Sequence, residues 1–318
     1  MKRICLALLL LAATPSIAAQ AYPARPIRMI VPFTAGSGSD TVARLIAPKL
    51  LDGLGQRVIV DNRAGAGSTI GTAMVASAGP DGHTLLLTSS GFAGAASLYQ
   101  KLPYDTVRDF AGITPVMSTA LILVAAPSLG VKSMKDLVAL AKQKPGALTY
   151  ASTGVGSGTH CGAELFRRAA GFEATHVPYK GVPEAMNDVM TGRVNFYVAS
   201  VQAVVPLARE GRVTAHAITG PQRSRLLPEV PTMAEAGLPR FEYVGWWGML
   251  VPARTPRVVV DQLSKEMKRI LVLPEIREKF EGLGGEAWWT APQAFDRLIR
   301  TEVEARAKIF GPASGQVQ

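Results

Sequence analysis

Apolar residues along the chain follow two spacings: short unbroken runs, and runs interrupted so that they recur every third or fourth position. Ile27 to Val31 is an unbroken run ending at Pro32, and it predicts a strand. A glycine-rich stretch follows. Thr41 to Leu51 then places Val42, Leu45, Ile46 and Leu50 on one helical face. Arg57 to Asp61 predicts a second strand, and NRAGAGSTIG (Asn62 to Gly71) leads into a helix of small residues. A third strand, Thr84 to Thr88, comes after the turn Gly79-Pro80-Asp81-Gly82. Leu121 to Ala126 predicts another strand and Ser133 to Gln143 another helix.

The pattern then begins afresh. Leu148 to Ala151 reads as a strand, Cys161 to Ala170 as a helix, His176-Val177 as a short strand and Val182 to Met190 as a helix. Strands are predicted over Val194 to Ala199 and Thr214 to Ile218, and Leu226 to Pro239 is too broken by proline to be regular. Tyr243 to Val251 predicts a long extended crossing. One helix is expected before Gly285, with Val259, Leu263, Met267 and Leu271 on a face, and two after it. The last starts at Pro292 and buries Phe295, Ile299, Val303, Ala307 and Phe310. Strand and helix in alternation predict an α/β protein with largely parallel sheets.

Composition narrows the class. With 48% hydrophobic and 18% charged residues over 318 positions, the chain is globular and not disordered. Its length suggests about two domains at ~150 residues each. The first residues are expected to be a leader. Lys2 and Arg3 precede an apolar run from Ile4 to Ala13, and Ala19-Gln20-Ala21 fits a secretory cleavage site. That run is shorter than the ~20 residues a membrane span needs. A mature secreted chain starting near Tyr22 is expected, with Cys161 as its only thiol. Without Lys2 and Arg3 the formal net charge of +10 becomes +8. The basic residues are dispersed, so no nucleic-acid partner is expected, only a mild attraction for anionic ligands.

Two segments carry candidate chemistry. PFTAGSGSD (Pro32 to Asp40) and STGVGSGTH (Ser152 to His160) each lie between an apolar strand and a helix, one in either half. Glycine lets the backbone approach a ligand closely, and a helix start offers unpaired N–H groups and about half a positive charge. Two such loops facing each other across a cleft would hold a small dicarboxylate, or one carboxylate plus a polar group, without Arg or Lys. The alternative is that they only close tight turns. Catalytic readings find little support. There is no G-x-S-x-G elbow for a secreted α/β hydrolase, the alternative from another class. His83, His160, His176 and His216 lack metal-ligand spacing, and no metal or cofactor is expected. His160 and Cys161 are neighbours that diverge by ~100° on a helix, which opposes a Cys–His pair. Asp40 is expected to cap its own helix.

Beyond these features, the chain resembles the Bug (TctC-type) extracytoplasmic receptors of tripartite tricarboxylate transporters. The resemblance lies in YPARPIRMIVPFTAGSGSD (Tyr22 to Asp40), GQRVIVDNRAGAGSTIG (Gly55 to Gly71), GPDGHTLLL (Gly79 to Leu87) and KLPYDTVRDF (Lys101 to Phe110). It continues in HVPYKGVPEAMNDVMTGRVNFYV (His176 to Val198) and LPEVPTMAEAGLP (Leu227 to Pro239), so it covers essentially the whole mature chain.

The resemblance implies a two-domain, periplasmic-binding-protein-like fold of type II character with the ligand cleft between the domains. Residues 22–121 with 248–318 are expected to form one domain and 122–247 the other. It implies a non-enzymatic receptor that takes a small mono- or dicarboxylate, as a monomer. Its partners would be permease subunits in the membrane or a sensor kinase. By motif match, the first loop supplies Phe33, Thr34, Ala35, Gly36, Ser37, Gly38 and Asp40. The second supplies Ser152, Thr153, Gly154, Gly156, Ser157, Gly158, Thr159 and His160, with Tyr179 close by. Added bulk at Gly36 or Gly156 is expected to abolish binding. The chain departs from the family pattern in three places. Ser37 stands where relatives commonly carry glycine. Ala199 stands where they commonly carry an acidic residue, which argues against a ligand with an ammonium group. Cys161 and Gly162 replace the more usual Leu-Ala-type helix start.

Overall fold

The computed structural model describes residues 22–99 and 101–310, so the expected leader and its cleavage site lie outside the described residues. The first half runs β1 (Ile27–Val31), α1 (Gly38–Leu54), β2 (Val58–Asn62), α2 (Thr69–Ala76), β3 (Thr84–Ser89) and α3 (Gly91–Leu98). A long strand β4 (Phe110–Ala125) and a helix α4 (Met134–Gln143) lead into the second half. There the order is β5 (Thr149–Ser152), α5 (Gly158–Ala170), β6 (Thr175–Pro178), α6 (Val182–Met190), β7 (Phe196–Ser200) and α7 (Val201–Arg209). The chain continues through β8 (Thr214–Ile218) and β9 (Val244–Pro252). It closes with α8 (Arg257–Leu271), α9 (Pro274–Gly282), β10 (Gly285–Ala287) and α10 (Pro292–Phe310).

The two halves repeat one plan. β1 lies between β2 and β3, and β5 between β6 and β7, all in parallel. Each triplet is then joined to an antiparallel neighbour, β9 beside β3 and β4 beside β7. The result is one continuous sheet in the order β2-β1-β3-β9-β4-β7-β5-β6, with β8 and β10 also paired to β4. The expectation of largely parallel sheets therefore holds within each half, while the strands that join the halves are antiparallel. β4 changes partners partway along. Phe110 to Ala120 pair with β9, and Leu121 to Ala125 pair with β7. This makes a two-domain α/β fold in which β4 and β9 connect the lobes.

Each lobe buries both faces of its sheet, as parallel strands flanked by helices require. In the first lobe Met29, Val31, Leu85 and Leu87 face α1 and α8, while Ile30 and Leu86 face Phe92, Phe295 and Ile299. In the second, alternation along β4 sends Leu121, Leu123 and Ala125 to one core, and Ile122 and Val124 to the other.

Three expectations at the chain's end and middle are corrected. Two helices precede Gly285 and one follows it, because Leu273-Pro274 stops α8 and restarts the chain as α9. Ala307 is exposed, and Arg306 occupies the buried face of α10 in its place. The strand expected from Leu121 begins at Phe110, eleven residues earlier.

Candidate functional site

The loops after β1 and β5 adopt the same geometry. Gly36 and Gly156 have φ of +78° and +79°, a left-handed conformation that glycine adopts without the Cβ clash other residues incur. Ser37 and Ser157 are the N-caps of α1 and α5, with φ, ψ of −69°, 163° and −63°, 161°. Their Oγ atoms accept from the amides of Asp40 (3.3 Å) and His160 (3.2 Å). In return the amide of Gly36 donates to Asp40 Oδ2 (2.9 Å), and that of Gly156 to His160 Nδ1 (3.2 Å). The expectation that Asp40 is the helix cap is corrected: Ser37 caps, and Asp40, three residues on, ties the loop back to the helix. This differs from a capping box in that the returning Asp or His accepts from the residue before the cap and not from the cap's own amide.

These bonds decide which amides remain. Ser37 N donates to Thr34 O and Ser157 N to Gly154 O, while Thr41 N and Cys161 N enter the first helical turns. Among the described residues, the amides of Gly38 and Ser39, and those of Gly158 and Thr159, donate to nothing. All four residues line one cavity of ≈ 70 Å³ between the lobes. Two helix N-termini therefore bring their free donors and positive dipole ends to one space.

The rest of the lining is apolar wall and neutral hydroxyl. Phe33, Val182, Trp246 and Trp247 form walls, and Ser89, Ser90, Thr119, Thr153 and Tyr243 supply hydroxyls. Ser200, at the start of α7, is buried and lines the same space, yet its Oγ has no partner. No acidic or basic side chain lines this cavity.

The expected site residues divide into those that reach the cavity and those that hold the loops. Phe33, Ser37, Gly38, Thr153, Gly158 and Thr159 line it. Gly36, Asp40, Gly156, Ser157 and His160 form the caps just described. Ser152 is fully buried behind the loop, bonded to Gly154 and to His176 Nε2 (2.6 Å). Thr34 O accepts from Ser37 N, and Ala35 lies between them, exposed. Gly154 and Tyr179 line a second, outer space, and the Tyr179 hydroxyl donates to Asp188 (2.7 Å). Ala199 packs into a hydrophobic core with Ile122 and Tyr197, so Ser200 is the residue of β7 that faces the ligand space.

Charge sits behind the walls. Burial opposes ionisation of Asp40, but the Arg44 guanidinium and the Gly36 amide outweigh it and hold the carboxyl below its usual range. Burial pushes His160 down to about 4. It also takes His176, stacked 4.2 Å away, to about 3, so both rings are neutral at neutral pH. Neutral His160 can accept from Gly156.

Sequence reasoning missed Arg306. This buried guanidinium donates to the carbonyl of Ser90 (2.5 Å), pairs with Glu302 (2.8 Å) and lies 5.9 Å from the Tyr243 ring centroid. Tyr243 in turn bonds Ser90 Oγ (3.2 Å), so Arg306 packs against both residues that share this hydroxyl pair at the cavity. The available signal was a charge at a three- and four-residue step between Val303 and Phe310.

Similar proteins share this arrangement at the level of fold. The structure of the periplasmic binding protein BugD superposes with a TM-score of 0.86 at 34% identity, covering 93% of this chain and all of that one. Rpa4515 of R. palustris, solved with adipate, gives 0.85 at 33% identity over 91% of this chain and 98% of its own. MatC of Rhodopseudomonas palustris, with bound malate, gives 0.85 at 30% identity over 91% of this chain and 100% of its own. The profile of the tripartite tricarboxylate transporter family receptor matches residues 42–312. With this match and the repeated α/β lobes around a shared cleft, the chain belongs to the TctC (Bug) family of periplasmic solute-binding receptors, a family of binding proteins and not of enzymes.

Proposed function

We propose that the protein captures a small carboxylate without an ammonium group in its interdomain cleft and presents it, in the periplasm, to the permease of a tripartite tricarboxylate-type transporter. One observation carries this reading: four unpaired helix-start amides converge on a cavity that has no acidic side chain. A carboxylate gains charge-assisted hydrogen bonds there, at ~1.5–3 kcal/mol each. An ammonium group would be desolvated without a partner, which costs several kcal/mol. Adipate and malate, the acids bound by two relatives, both lack an ammonium group.

The moving units proposed are residues 22–121 with 248–318, and 122–247. The ligand's bonds to both N-termini would favour the closed arrangement over the open one, since a ligand shifts such an equilibrium only by its differential affinity. A thermal-shift screen tests the reading. A ligand at 100 times its Kd adds ~2.7 kcal/mol, so adipate- or malate-like acids are expected to raise Tm by several degrees, and aspartate and glutamate to leave it in place. Stabilisation by the amino acids alone would contradict the proposal.

A further inference from the structure

The departure at Cys161 and Gly162 is not explained by the ligand space, which neither residue lines. Both stand in the first turn of α5, following the free amides of Gly158 and Thr159. Cys161 is fully buried and its thiol faces α3. A Cβ on Gly94 would stand 2.7 Å from its Sγ, 3.2 Å from Arg306 Nη1 and 3.3 Å from Gly156 O. On another side of the same turn, a Cβ on Gly162 would stand 2.9 Å from Leu121 Cδ1 and 3.4 Å from the Tyr243 ring. The start of α5 is thus seated closely on two sides.

α3 meets this turn with two glycines. A Cβ on Gly91 would lie 2.6 Å from Gly156 O and 2.8 Å from Gly158 N, against backbone that has no flexible side chain to yield. Gly91 and Gly94 both lie within α3, and neither has the positive φ for which glycine is otherwise needed. Glycine inside a helix is unfavourable relative to alanine, so local structure argues against both. What they share is position: at each, the backbone of the first lobe approaches the start of α5 more closely than a side chain permits.

Resting on the receptor reading above, we infer that α3 is a positioning element of the binding site. Gly91 and Gly94 let it seat against the first turn of α5, and this contact, with Gly94 and Cys161 as its fitted pair, sets how closely the α5 amides stand to those of α1. A methyl group at Gly94 pushes the turn away, and a single carboxylate then reaches the donors of one helix at the expense of the other. Loss of one charge-assisted hydrogen bond amounts to about tenfold in affinity. The two glycines differ in what relieves them. The methyl at Gly94 gains room when the Cys161 sulfur is removed, whereas the methyl at Gly91 meets backbone and gains none.

The test is calorimetric titration of the full mature chain with adipate, with urea unfolding of each unliganded variant. Gly94→Ala is expected to weaken adipate binding about tenfold. Cys161→Ala alone is expected to bind as the wild type does, and Gly94→Ala combined with Cys161→Ala to recover the wild-type affinity. Gly91→Ala is expected to weaken binding and not to recover with Cys161→Ala. Cys161→Leu adds bulk to the same contact from the α5 side and serves where Gly94→Ala does not fold; it too is expected to weaken binding, and unchanged affinity in it overturns the inference. Unchanged affinity in Gly94→Ala beside a lowered urea midpoint, or no recovery in the double variant, also overturns it and leaves the carboxylate-receptor reading standing. If adipate does not bind the wild-type chain, that counts against the receptor reading, and nitrogen–proton spectra of the unliganded variants decide the inference. The Gly158 and Thr159 amides are then expected to move in Gly94→Ala and to return in the double variant, and shifts that do not return overturn it.

Discussion

Gly36 and Gly156 show how far a residue type can be read, and where the reading stops. Both were legible as positions where only glycine serves, and both prove to be left-handed turn residues. Which amides they free for a ligand was not legible. Each glycine's own N–H is consumed four residues on, by Asp40 or His160, and the free donors lie two and three residues along. Substitution at Gly36 is therefore expected to act first through backbone strain. The added methyl of Gly36→Ala meets nothing within 4 Å, so its cost is the left-handed conformation alone, ~1–2 kcal/mol. Gly156→Ala adds a contact at 3.3 Å to the Cα of Ala95 and is expected to cost more. Urea unfolding of both variants checks the ranking, and wild-type stability in Gly36→Ala would show that the turn does not need glycine. Ala199 illustrates the other limit. A strand alternates faces with a period of two, so an error of one residue moves the reading from the ligand space to the core, and Ser200 was overlooked.

At the scale of elements, helices with a clear apolar stripe were legible and those carrying a buried charge were not. The stripe Val259, Leu263, Met267 and Leu271 is buried in α8 as read. On α10 the rule that charge faces solvent displaced the reading to Ala307, because the partners that satisfy Arg306, the Ser90 carbonyl and Glu302, come together only in the fold. The first half of β4 was missed for a similar reason. Gly112, Thr114 and Pro115 dilute its apolar character, and two register shifts against β9 accommodate it.

The N-terminus of α5 carries a prediction about pH. His160 and His176 stack beneath it, with Tyr150 and the Glu164–Arg167 pair around them. Their folded pKa values, about 4 and about 3, lie below the unfolded value near 6.5. The stability they contribute is whole above pH ~6.5 and is lost as pH falls through 4 and 3, because the unfolded chain takes up protons first. Glu164, held at about 2 despite its burial by Arg167 and the Tyr150 hydroxyl, adds to the loss below its unfolded value of 4.5. Protonated His160 can no longer accept from Gly156. His160→Asn, which keeps an acceptor there, is expected to flatten the decline of Tm between pH 6.5 and 4. An unchanged slope would remove His160 from the account.

For the whole molecule, the order of strands and helices and the doubling of the glycine-rich loop were legible, because each is written locally. The joining of the halves was not, since the pairing of β4 with β9 links residues more than a hundred positions apart. That pairing sets the two loops opposite each other. The central claim is that one carboxylate is held by both helix N-termini together, and backbone amide shifts test it most directly. In a nitrogen–proton correlation titration with adipate, the amides of Gly38, Ser39, Gly158 and Thr159 are expected to move together and saturate at one common Kd. Shifts confined to one loop, or absent from both, would contradict the account.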